Sequence, residues 1–311
     1  MLKAAQRLGL GVVIITVLSL LYFILMTQSA VKLIHPREEL HNCCSTQDDF
    51  ILTQKNTKIG MTIRYAITKG KTFKVNSALT RLLPKTSPLS GRRFSRCSVV
   101  GNGAILSQSG CGQEIDKADY VFRCNLPPIG GKYAENTGIR TNSTTANPIS
   151  QIMSKYKGLR NQQGRDKFMT DIKKYPGLLW VSAFGVKSAT VISQQALKFV
   201  TQKRIRSPAL VFGNPKHFTD TMNFWRAHNL SNRLSTGMYL SSIALSVCDQ
   251  VHIFGFWPFD KDPEDQPLAY HYYGKGKVDQ VHDMPQEFLK LLEWHQEGVV
   301  NVHIHKCQAD S

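Results

Sequence analysis

Hydrophobic and polar positions along the chain fall into distinct regimes. Residues 8–31 carry no charge, and the stretch 8–26, "LGLGVVIITVLSLLYFILM", is long enough to cross a hydrocarbon core of about 30 Å as one helix. Residues 27–45 are polar, suit a short stem and end in the pair Cys43-Cys44. From 46 to about 90 the pattern is irregular. Strand-like pieces stand at "TIRYAI" and "KTFKVN", and the proline-flanked "LLPKTSPLSG" marks a connector.

Beyond Arg92 short apolar runs alternate with helical patterns, which predicts a mainly parallel sheet with helices on both faces. "CSVVG" (97–101) is a strand, 104–117 helical, and "YVFRCN" (120–125) a strand again. Further strands are expected at 177–184 and 209–214. Leu240, Ile243, Ala244 and Val247 recur at helical spacing and lead directly into the strand "QVHIFGF". Near the end, Asp283 as N-cap, Pro285 in the first turn and Gln286 announce a helix that buries Phe288, Leu291 and Leu292 and stops at Gly298. The strand "VVNVHIH" follows.

The apolar start fixes a topology. Lys3 and Arg7 precede it with little positive charge just after, so the amino terminus is expected in the cytosol and the bulk of the chain in the lumen. A cleaved signal peptide is the competing reading, but its apolar region runs roughly 7 to 15 residues, shorter than this one. The expected divisions are a cytosolic tail 1–7, a membrane anchor 8–26, a stem 27–45 and a lumenal catalytic domain 46–311. Lumenal placement favours disulfides for the seven cysteines and excludes nucleic acid as a partner. The odd count leaves at least one thiol free or paired with another chain. Asn142 and Asn229 open N-glycosylation sequons. With 39 basic against 22 acidic residues, the net charge of +17 points to anionic partners.

Three strand or helix ends carry ligand-binding chemistry. Gly101-Asn102-Gly103 follows a strand, its glycines expected to bring backbone amides to a ligand, but Leu106 stands where a dinucleotide fingerprint needs its third glycine. Asn125 ends the next strand. Ser235-Thr236-Gly237 opens a helix, where free N–H groups and the helix dipole favour an anion. His271 lies in the aromatic loop "YHYYG". His282 precedes a helix start whose dipole disfavours its charged form and suits a general base, and Glu287 is placed to steady it or to complement the dipole. Asp260 and Asp262 have the spacing with which metal-dependent glycosyltransferases hold manganese. His303, His305 and Cys307 alternate on a strand, where a metal is conceivable.

"CSVVGNGAILSQSGCGQEIDKADYVFRCNLPP" resembles the large motif of animal sialyltransferases, and "RLSTGMYLSSIALSVCDQVHIFGFWPF" their small motif. "HYYG" resembles the third motif, and His282 with Glu287 the very small one. All four stand in the family's order, and their wording is most similar to the α2,8-sialyltransferase branch. The resemblance implies a single-domain Rossmann-like α/β fold of variant glycosyltransferase A type and a single-pass type II protein of the Golgi membrane. It implies inverting transfer of sialic acid from CMP-sialic acid to a terminal sialic acid on a glycolipid or glycoprotein glycan, without a metal. Gly101, Asn102, Gly103, Asn125, Ser235, Thr236, Gly237 and Trp257 would hold the donor. His271 would bond the departing phosphate, and His282 would deprotonate the acceptor. Bridges Cys97–Cys248 and Cys111–Cys307 are implied too, with Cys124 a buried thiol and Cys43-Cys44 candidates to link a homodimer. Gly274 departs from the family, whose third motif usually has an acidic residue there. The competing functions are a metal-dependent transferase using Asp260 and Asp262, and a membrane-anchored sialoglycan-binding protein with a decayed site.

Overall fold

The computed structural model describes residues 17, 19–20, 36–44, 47–230, 232–274 and 281–307. The chain divides into two units, 1–39 and 40–311. Of the expected anchor only Val17, Ser19 and Leu20 are described, all helical; the remainder lies outside the described residues. Among those described, no helix is long and apolar enough to cross a membrane. The second unit holds the sheet and every candidate site residue.

Its centre is a seven-stranded sheet. The strands are β3 (Phe94–Val100), β4 (Tyr120–Arg123), β5 (Ser143–Ala146), β6 (Leu178–Val181), β7 (Ala209–Phe212), β8 (Cys248–Phe254) and β9 (Asn301–His303). The spatial order is β7-β6-β5-β4-β3-β8-β9, and every neighbouring pair is parallel. A small antiparallel hairpin, β1 (Thr62–Arg64) and β2 (Thr72–Lys74), precedes it within the irregular amino-terminal stretch.

Strand alternation feeds two cores. Leu178, Trp180 and Val211 face one side, where helices α4 (Pro215–Ala227), α5 (Thr236–Val247) and α6 (Met284–Gln296) pack. Leu179, Val181, Leu210 and Phe212 face the other, against α2 (Gln162–Ile172) and α3 (Lys187–Gln202). The short helix α1 (Gly112–Asp116) covers Val100, Val121 and Phe254 on that second side through Ile115. Helices therefore lie on both faces, which a parallel sheet with buried apolar runs requires.

Several elements differ from the sequence reading. The helix expected over 104–117 is broken into a 3₁₀ turn (Ala104–Leu106) and α1, because the chain reverses through Gly110 at φ +65° and Cys111 is bonded to Cys307. In α6 the buried residues are Glu287, Phe288, Leu291 and Trp294, with Leu292 only half-buried. β5 arises from "STTA", which carries no apolar run, yet all four residues are buried. Cys97 is bonded to Cys248, tying β3 to β8, and Cys43 to its neighbour Cys44. Cys124 is a buried free thiol, which burial and then the Glu287 charge push up to about 12.

Candidate active site

The strand order reverses at β3. The chain steps from β3 outward to β7, then returns to β3's other side with β8, and a ligand cleft is expected outside the carboxyl ends at such a point. A cleft of about 340 Å³ opens there. Every donor and catalytic candidate of the sequence lines it: Gly101, Asn102 and Gly103 after β3, Asn125 after β4, Ser235, Thr236 and Gly237 at the start of α5, Trp257 after β8, and His271 and His282. Asp260 and Asp262 are not among its lining residues. The Asp262 carboxylate accepts from the amides of Glu264 (3.0 Å) and Gln266 (2.7 Å) in its own loop.

The glycine turn works differently from the expectation. The amides of Gly101 and Gly103 donate to Phe254 (2.7 Å) and Gly255 (2.9 Å), so neither is offered to a ligand. A Cβ on Gly101 would lie 2.5 Å from the Gly255 carbonyl oxygen, and one on Gly103 2.8 Å from it. The glycines let two strand-end turns touch, and Asn102 faces the cleft between them. Its Nδ2 donates to the Cys124 carbonyl (3.0 Å), while its buried Oδ1 has no partner among the described residues.

Asn125 adopts φ +61°, a left-handed conformation that asparagine tolerates well. Its amide donates to Thr145 Oγ1 (2.8 Å), and that hydroxyl donates to Asn125 Oδ1 (3.1 Å). Gln151 Nε2 donates to the Asn125 carbonyl, and Gln151 Oε1 accepts from the Asn147 amide (2.8 Å). The polar strand β5 and the turn after it thus fix Asn125. Asn147, Ser150, Arg233, Tyr270 and Met284 also line the cleft, and sequence reasoning missed them. Asn147 carried a signal, since an asparagine followed by proline suits a helix cap: its Oδ1 accepts from Ile149 (2.9 Å) and Ser150 (3.1 Å).

At α5 the Ser235 Oγ accepts from the Met238 amide (3.1 Å), capping a 12-residue helix. The amides of Thr236 and Gly237 precede the helical ladder and remain available to an anion at the positive end of the dipole. Glu287 does not bond His282. Its Oε1 accepts from the Ser235 amide (2.7 Å), so it holds the start of α5 against α6. Burial, opposed by hydrogen bonds from Ser235, pushes its carboxyl up to about 7.

The two histidines are held by backbone. His271 pairs with Gly103 across a bridge, and the Tyr272 amide donates to the Asn102 carbonyl (3.1 Å), docking the aromatic loop on the glycine turn. Tyr272 hydroxyl donates to the Pro128 carbonyl (2.8 Å), and the Tyr273 ring stacks on His271 at 5.1 Å. Burial lowers the His271 pKa, which favours a neutral ring with one N–H to donate. Gly274 closes the turn through its amide to the His271 carbonyl (3.5 Å). His282 Nδ1 lies 2.7 Å from the Arg233 carbonyl oxygen. A carbonyl only accepts, so Nδ1 carries a proton, and in the neutral ring the lone pair is therefore on Nε2.

The other candidates lie elsewhere. His303 Nε2 is 2.9 Å from His252 Nδ1, Cys307 is in its disulfide, and no cluster of three metal-binding side chains forms among the described residues. Asn142 uses Oδ1 to accept from the Val121 amide (2.9 Å) and its carbonyl to accept from Leu178 (2.9 Å), binding β4 to β6 across β5. Asn229 is exposed just past α4.

Residues 51–299 match the model of glycosyltransferase family 29 (sialyltransferase). The chain is 36% identical over 275 residues to alpha-2,8-sialyltransferase 8F of Mus musculus, covering 88% of this chain and 68% of that protein. It is 35% identical over 277 residues to alpha-N-acetylneuraminide alpha-2,8-sialyltransferase of Xenopus tropicalis, covering 88% and 79%. A crystal structure of a mammalian sialyltransferase superposes with a TM-score of 0.50 at 19% identity, covering 86% of this chain and 95% of that one, and shows the same fold. The chain belongs to glycosyltransferase family 29, the sialyltransferases.

Proposed function

We propose that this protein transfers sialic acid from CMP-sialic acid to a terminal sialic acid of a glycan, forming an α2,8 linkage with inversion at the anomeric carbon. The observation that carries the mechanism is the 2.7 Å bond from His282 Nδ1–H to the Arg233 carbonyl, which leaves Nε2 as a base in the cleft. The names of the relatives from Mus musculus and Xenopus tropicalis support the linkage.

The CMP moiety lies against Asn102 and Asn125, with its phosphate near the amides of Thr236 and Gly237. The acceptor hydroxyl attacks the donor's anomeric carbon from the face opposite the phosphate. Its proton passes to His282 Nε2 as the new carbon–oxygen bond forms and the carbon–phosphate oxygen bond breaks. CMP departs with the bonding pair, and the His271 N–H donates to the phosphate oxygen where charge develops. Trp257 closes one side of the cleft, its Nε1 donating to the Lys261 carbonyl (2.6 Å). The chain's own groups supply base and anion stabilisation, so no metal is invoked. The uncharged stretch 8–26 supports a type II orientation in a membrane, and the family resemblance supports the Golgi as that membrane.

The test offers the lumenal part, from Gln47 onward, CMP-sialic acid with a chelator present and one glycan with and without its terminal sialic acid. The reading expects transfer to the sialylated form alone. Transfer to bare galactose overturns the linkage, and loss of transfer on chelation overturns the metal-free mechanism.

A further inference from the structure

A second cleft adjoins the first. It has a volume of about 130 Å³, lies beyond the carboxyl ends of β6 and β7, and shares Asn147, Arg233, Thr236 and His282 with its neighbour. Trp180, Phe184, Phe218 and Tyr239 line it, and Ile67, 45% exposed, stands at its rim. Ile67 reaches that position because the amides of Ala66 and Ile67 donate to Phe184 (3.0 Å) and Gly185 (3.1 Å), docking the β1–β2 loop on the segment after β6. His282 therefore borders both clefts.

With the donor in the first cleft, the acceptor approaches the base from the second. An acceptor ending in sialic acid brings a carboxylate close to its reacting hydroxyl, and a carboxylate withdrawn from water needs a cation. Among the described residues lining the two clefts, Arg233 is the one lysine or arginine. No hydrogen bond or ion pair engages its guanidinium among the described residues, and only its carbonyl is used, by His282. A guanidinium fork fits a carboxylate with two parallel bonds. The aromatic walls suit the apolar faces of sugar rings behind the terminal residue.

We propose that Arg233 binds the carboxylate of the acceptor's terminal sialic acid, with the second cleft holding the sugars behind it. Arg233 then sets the preference for sialylated over neutral acceptors. The proposal rests on the transferase reading above.

The test measures kinetics of the wild type, Arg233→Lys and Arg233→Gln, varying donor and acceptor separately. Two acceptors are used, one with a free terminal carboxylate and one with that carboxylate as its methyl ester. A charge-assisted hydrogen bond predicts that esterification lowers wild-type kcat/KM by roughly 10- to 100-fold. Arg233→Gln should lose a similar factor on the free acid, mainly in acceptor KM, and should no longer distinguish acid from ester. Arg233→Lys should recover part of the loss. Stabilisation by CMP in a thermal melt confirms that each variant is folded. A wild type indifferent to esterification overturns the proposal without any variant. So does an Arg233→Gln protein whose donor KM rises while its preference for the free acid persists. Failure of the wild type on every sialylated acceptor overturns the transferase reading instead.

Discussion

Glu287 offers a quantitative test of how the site is built. Its side chain is 6% exposed beneath the start of α5, and burial raises its carboxyl from an ordinary 4.5 to about 7, with Ser235 hydrogen bonds opposing and the Asp283 charge assisting the rise. Between those values the native chain keeps a proton that the unfolded chain has released. Stability from this group therefore falls as pH rises from 4.5 through 7, and the full cost is present above 7. At 1.36 kcal/mol per pKa unit the gap corresponds to about 3 kcal/mol at pH 8. Glu287→Gln retains the shape and the oxygen that accepts from Ser235 but cannot ionise. The variant should differ little from wild type at pH 4.5 and gain about 3 kcal/mol relative to it at pH 8, or roughly 6 to 12 °C in a thermal melt of a domain this size. Paired melts at pH 4.5, 6, 7 and 8 read the difference directly. A difference that stays constant with pH, or moves against the variant as pH rises, refutes the assignment of a buried, proton-holding Glu287.

Other perturbations have defined outcomes. Gly101→Ala puts a Cβ 2.5 Å from the Gly255 carbonyl, backbone against backbone, and should cost roughly 1 to 3 kcal/mol in denaturant unfolding; an unchanged midpoint would show that the two turns separate freely. In mammalian secretion, Asn229→Gln should remove a glycan band shift because Asn229 is exposed, whereas Asn142→Gln should leave that shift and lower the melting temperature, since Asn142 joins β4 to β6. Asp262→Asn should leave kcat within a factor of about two, because its carboxylate only orders its own loop.

The sheet was legible where strands are apolar. "CSVV", "YVFR", "LLWV" and "ALVF" all become parallel strands because a sheet covered on both faces buries nearly every position, Ala209 being the half-buried exception among these. β5 escaped notice because it meets that demand with Ser143, Thr144 and Thr145, small β-tolerant residues buried in the sheet interior. Thr145 also shows why a polar strand belongs there: its hydroxyl holds Asn125. The candidate donor residues converge in one cleft because each ends a strand or opens a helix on the same edge of the sheet, a property that local sequence reveals. The partner of Glu287 was not legible. The bond to Ser235 joins residues 52 positions apart, and only the packing of α6 beside α5 brings them together. Arg233 was equally hidden, since nothing in "NRLSTG" shows that its carbonyl meets His282 or that its side chain borders two clefts.

The most direct test of the mechanism compares His282→Gln with the wild type in two measurements on the same preparations, turnover with CMP-sialic acid and a sialylated acceptor, and CMP affinity by calorimetry. With His282 as the base, turnover should fall by roughly 10² to 10⁴ while the CMP dissociation constant stays within about threefold. Parallel loss of turnover and CMP binding would make His282 a donor ligand and contradict the account.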